Sequence, residues 1–176
     1  MSSEDDERVV AGIRSLLKDA VAQLTAAGAR DEALAQFVPT RRTLGISRKP
    51  VMLPLGRVWR LGVFLLDREG ALYATGTTTR AVDPLYRGFQ SQSAETRRDY
   101  RAAAFRGPFE RGETINFDAH AVELTADSLR SSHGPLLLRD GMPVVRWAAT
   151  IDAAPVPFAD YLRERVELLA HPPQGA

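Results

Sequence analysis

The sequence predicts an α+β fold: a mostly antiparallel sheet of about five or six strands with an N-terminal helical pair, a middle helix and a C-terminal helix. Three observations carry this expectation. The chain opens on an apolar stripe at helical spacing. Two runs rich in Val, Leu, Trp and Phe are each broken by an acidic-Gly turn, and such short turns join antiparallel neighbours. The chain then runs out through a second amphipathic segment. At 176 residues, 44% hydrophobic and 26% charged, it suits one α+β domain over 1–176.

Val9, Ile13, Leu16, Leu17, Ala20, Val21 and Leu24 recur at helical spacing and predict an amphipathic helix over 4–27. Ser2 or Ser3 caps it, Glu4 to Glu7 face the positive end of its dipole, and Gly28 closes it. A second, short helix is expected after Asp31, with Ala33, Leu34 and Phe37 apolar and Pro39 as its stop. Gly45, Pro50 and Pro54 make 40–56 an irregular connector with room for one short strand. Strands are expected over 57–67 and 71–80, joined by Asp67-Arg68-Glu69-Gly70. Ser93 introduces a helix over 94–105 that Gly107-Pro108 ends. Short strands at 114–117 and 121–124, a helical turn at 126–131, and a hairpin of 135–139 and 143–149 about Asp140-Gly141 follow. A last helix carries Phe158, Tyr161, Leu162, Val166 and Leu169 on one face. The two hairpins resemble each other, each with one tryptophan in a flanking strand, Trp59 or Trp147; convergent turn chemistry accounts for this without a repeat.

The chain has no cysteine, which removes disulfides, thiolate metal sites and cysteine nucleophiles. Glu4, Asp5, Asp6 and Glu7 against Arg8 reverse the charge of a secretory signal, and no apolar run approaches the ~20 residues of a membrane span, so a cytoplasmic protein without a membrane partner is expected. The net charge of +1 gives no global pull toward polyanions. Arginine outnumbers lysine 21 to 2, which reads first as high-GC codon usage. Neither Gly-x-x-x-x-Gly-Lys nor Gly-x-Gly-x-x-Gly occurs, and no cofactor is expected.

The three histidines, His120, His133 and His171, lack any metal-ligand spacing, and no metal is expected. His120, two residues after Asp118 beside a predicted strand, is the one general-base candidate. Ser131-Ser132-His133-Gly134 brings a hydroxyl next to an imidazole, but neighbours on a turn seldom aim at each other. The main charge feature is a basic block: Arg41, Arg42, Arg48, Lys49, Arg57 and Arg60 lie between Ala33 and Leu66 with no acidic residue among them. Converging on one place, they would cradle a small anion such as a phosphate or carboxylate. Trp59 is the one tryptophan in that stretch, too little stacking surface for a single-strand platform, so nucleic acid is not the expected partner.

Arg41-Arg42-Thr43-Leu44-Gly45-Ile46, Ala102-Ala103-Ala104-Phe105-Arg106-Gly107, Pro143-Val144-Val145-Arg146-Trp147 and the ending His171-Pro172-Pro173-Gln174-Gly175-Ala176 resemble a family of short proteins of high-GC bacteria to which no mechanism is assigned. Some of its members are labelled glutaminase, so the resemblance implies amide hydrolysis. Serine-dependent glutaminases use a Ser-x-x-Lys pair, which Ser15-Leu16-Leu17-Lys18 matches in letters. That match sits midway along the first predicted helix, and no Ser-Asp-Asn or Lys-Thr-Gly follows.

Three functions are therefore expected in order: a small non-enzymatic binding or interaction protein, an amide hydrolase of the kind the family label suggests, and a small-anion or nucleotide binder using the block 41–60.

Overall fold

Helix α1 (Ser3–Ala26) forms where the stripe predicts it, turning Ile13, Leu17, Ala20 and Leu24 inward. It ends as Gly28 takes φ 60° and the Ala29 amide donates to the Leu24 carbonyl (2.9 Å). The structure, a computed structural model, describes residues 3–43, 46–83, 92–146 and 154–173; Leu44, Gly45, Trp147 and the predicted strand end at 147–149 lie outside the described residues.

The strands are β1 (Glu32–Val38), β2 (Arg41–Thr43), β3 (Ile46–Arg48), β4 (Val51–Leu61), β5 (Phe64–Asp67), β6 (Leu72–Ala74), β7 (Thr77–Arg80), β8 (Thr114–Phe117), β9 (His120–Ala121), β10 (Leu136–Arg139), β11 (Met142–Val145) and β12 (Val156–Pro157). The further helices are α2 (Gln92–Arg106), α3 (Ala126–Arg130) and α4 (Phe158–Ala170). The fold is α+β, with two corrections to the expectation. Seven strands hydrogen-bond in the order β7-β8-β1-β4-β5-β6-β9, three more as β10-β11-β12, and β2 pairs with β3. The larger set is mixed, because β1 runs parallel to β8 while β1–β4, β5–β6, β6–β9 and β7–β8 are antiparallel.

The second correction concerns residues 32–38, which form β1 and not the second helix of an N-terminal pair. β1 is a central strand between β4 and β8, and Ala33, Leu34 and Ala35 are buried in succession, the first and third in the core that Ala103 and Ala104 of α2 complete; a short apolar run covered on both faces shows neither helical nor strand periodicity. Similarly, the connector expected over 40–56 is the β2–β3 ribbon and the first half of β4. The register of β1 with β4 shifts between Leu34 and Ala35, so Leu55 has no partner, and Pro54 sits at this bulge, where a missing N–H is tolerated. The predicted strand over 57–67 likewise turns at Gly62 into β4 and β5, and that over 71–80 is divided into β6 and β7.

Contacts gather the chain into two units, one of Met1–Asp31, Trp59–Ala74 and His120–Ala176, the other of Glu32–Val58 and Thr75–Ala119. In the first, α1 and α4 line a core with Trp59, Leu61, Phe64, Leu66, Phe158, Leu162 and Val166. The Trp59 indole donates to the Ala29 carbonyl (3.0 Å), which ties the end of α1 to β4. In the β5–β6 turn, Asp67 accepts from the Glu69 and Ala71 amides (3.0 and 2.8 Å), and Gly70 takes φ 87°. The Tyr73 hydroxyl also donates to Asp67 (3.2 Å); burial first, and then the Asp67 charge, push its pKa above the usual value. The Asp140-Gly141 hairpin forms as predicted, both residues taking positive φ (50° and 77°).

The second unit packs Ala103 and Ala104 of α2 into a core with Ala33, Ala35, Met52, Ile115 and Phe117. Tyr100 stands edge-on to Phe37 and Phe117 (centroids 5.1 and 4.8 Å). Buried Asn116 donates to Glu32 (2.8 Å) and to the Ala33 carbonyl (3.2 Å), so its amide nitrogen is satisfied inside the β8–β1 pair.

Candidate functional site

The buried positions of α1 include one carboxylate. Asp6, Val10, Ile13, Leu17, Ala20 and Leu24 follow one another at steps of three and four residues, so Asp6 extends the apolar stripe by one turn. Its side chain is 7% exposed. Oδ2 accepts from the Arg130 guanidinium of α3, while Oδ1 is buried with no hydrogen-bond partner. A buried acceptor left unpaired costs about 1–3 kcal/mol, more when charged.

Asp6 lines a cleft of ≈ 750 Å³ in the first unit, within the range of small-molecule pockets. Glu7 and Arg14 line it from α1, Asp127 and Arg130 from α3, and Val10, Leu124 and Ala126 supply apolar surface. Arg14 donates to the Leu124 carbonyl (2.8 Å), which holds it across the segment leading into α3. Arg130 divides its fork, with Nη2 on Asp6 and Nη1 3.6 Å from Asp127. Thr125 caps α3, accepting from the Ser128 amide (3.3 Å), and Ser128 donates to Glu123 (2.8 Å). Reading the sequence missed this site, since Asp6 passes as one of several acidic residues favoured at a helix start. The available signal was its place on the stripe, four residues before Val10 and seven before Ile13.

Of the six residues of the basic block, five belong to the second unit. Arg41 and Arg48 are backbone partners in β2–β3, with Arg42 opposite Ser47. Lys49 is exposed, and Arg57 pairs with Glu113, so part of its charge is used within the second unit. Arg60 belongs to the first unit, where it is half-buried. Asp118 (φ 53°) and His120 are both exposed and fall in different units. In the Ser131–Gly134 turn, Ser131 Oγ donates to the Asp127 carbonyl (2.9 Å) and Ser132 Oγ accepts from the Gly134 amide (3.1 Å), so both hydroxyls bond to nearby backbone. Ser15 and Lys18 are exposed midway along α1.

Charge is unequally shared. The second unit holds twelve Lys and Arg against seven Asp and Glu, net +5, and the first holds eleven against fifteen, net −4; together they give the overall +1. Among the described residues no three His, Asp or Glu gather to hold a metal ion, and no helix is long and apolar enough to cross a membrane. Comparison of the chain with protein-family models, with curated proteins and with solved structures finds no match.

Proposed function

We propose that the chain is a small cytoplasmic, non-enzymatic binding protein that takes a small polar ligand in the cleft between α1 and the α3 segment. The observation that carries this reading is Asp6: a buried carboxylate with one oxygen unpartnered, on the wall of a cleft whose other charged groups come from both elements. A pocket of mixed charge over Val10, Leu124 and Ala126 orients a polar ligand without supplying a nucleophile and base in one arrangement. A set of small polar metabolites screened by thermal denaturation should contain compounds that raise Tm, because binding to the folded state alone stabilises by about 2.7 kcal/mol at a hundred times Kd. The rise should shrink when exposed Arg14 and Asp127 are both replaced by alanine. A full rise in that double variant, or none in the wild type, contradicts the reading.

A second reading, a small-anion site on the basic block, is supported by the backbone register of Arg41 with Arg48 and by the net +5 of the unit that holds them. Phosphate or sulfate should then raise Tm beyond chloride at equal ionic strength, and replacing Arg41 and Arg42 by alanine should remove the difference. Equal effects of all three anions would reduce the block to solvated surface.

A further inference from the structure

We infer that the cleft is selective for an organic cation, a primary ammonium or a guanidinium, whose head group takes the place that Arg130 holds on Asp6. This inference rests on the cleft being a ligand site and names the class of ligand.

The ion pair of Asp6 and Arg130 is asymmetric. Its carboxylate is 7% exposed and its guanidinium 41%, so the cation is the partner free to leave. Arg130 also serves the carboxylate incompletely. One nitrogen reaches Oδ2, the other is turned toward Asp127, and Oδ1 receives nothing. A free guanidinium, or an ammonium with three donors, has no second carboxylate to serve and can give Oδ2 an undivided charge-assisted bond, where Arg130 shares its charge with Asp127. Arg130 is thus a built-in substitute for the ligand, present at one end of the pair and exchangeable.

The surroundings have the same sign. Asp6, Glu7 and Asp127 face two arginines in the cleft, and one of these, Arg14, is committed to the Leu124 carbonyl. The charged lining of the cleft itself carries net −1, three carboxylates against two guanidiniums. A metal ion fits less well, since the carboxylates among the described residues do not gather as a ligand set. Val10, Leu124 and Ala126 offer apolar contact to a short carbon stem behind the charged head.

The test uses methylguanidinium and propylammonium chlorides against sodium propionate and propanamide, titrated into wild type, Asp6→Asn and Arg130→Gln with binding followed by NMR. The cations should bind at the cleft and the other two should not. Affinity for the cations should rise about tenfold in Arg130→Gln, where the internal competitor is gone, and fall about tenfold or more in Asp6→Asn. Should Arg130→Gln fail to fold, wild type against Asp6→Asn decides alone. Propionate or propanamide binding in the cleft without the cations overturns the ligand class and leaves the site standing. Equal cation affinity in wild type and Asp6→Asn overturns the role of Asp6, and no binding by any probe overturns both the class and the site.

Discussion

Truncating Phe64 to alanine is expected to cost about 3–5 kcal/mol, read as a fall in the denaturation midpoint at unchanged slope. Phe64 is fully buried at the start of β5, and its ring stands edge-on to two rings of α4, Phe158 (6.0 Å, 87°) and Tyr161 (5.9 Å, 84°). The loss therefore combines the transfer of a large side chain, the cavity left behind and two aromatic contacts. Of a total stability of about 5–15 kcal/mol this is a large share, and the variant should be close to unfolding at physiological temperature. Leu168→Ala, on the exposed side of the same helix, is the control and should shift the midpoint by no more than about 0.5 kcal/mol. A Phe64→Ala loss below about 1 kcal/mol would mean that α4 is not docked on β5.

Gly62→Ala is expected to cost about 2–4 kcal/mol for a different reason. Gly62 turns β4 into β5 at φ 67°, where any other residue is strained, and a methyl group there collides with the Tyr161 hydroxyl. That hydroxyl accepts from the Val63 amide (2.9 Å) and donates to the Leu61 carbonyl (3.4 Å), so it cannot move aside without leaving the turn unsatisfied. The two residues should consequently be coupled. In a Tyr161→Phe background the added cost of Gly62→Ala should be smaller, because the colliding oxygen is gone while the backbone strain remains. Strict additivity of the two substitutions would show that the hydroxyl does not pack on the turn.

These elements also mark how far the sequence could be read. The ends of the first unit were legible because α1, the Asp140-Gly141 hairpin and α4 each carry a local signal: a helical stripe, a turn residue tolerant of positive φ, an amphipathic face. Residues 32–38 were not, since a central strand covered on both faces loses its alternation, and Ala33 with Leu34 reads as well for a helix. Pro54 and Gly56 obscured β4 for a related reason, as a bulge admits residues that a regular strand rejects. The division of charge was hidden by its own balance, because each unit is assembled from separated stretches of chain and the two totals nearly cancel.

The candidate site was less legible than the fold. Asp6 and Arg130 are separated by 124 positions, and no local pattern joins them. What the sequence did contain was a carboxylate in register with the buried stripe of α1, a placement that calls for a partner without naming it. The basic block, by contrast, was conspicuous in sequence; five of its six members belong to the second unit, and one of them, Arg57, is paired with Glu113.

The central claim, that the cleft between α1 and the α3 segment is the binding site, is tested most directly by mapping amide chemical shifts of the full chain as a bound compound is titrated. Shifts confined to Glu7, Val10, Arg14, Leu124, Asp127 and Arg130, saturating together with one Kd, are the result expected. Saturable shifts centred on β2–β3, with the α1 and α3 amides unmoved, would contradict it.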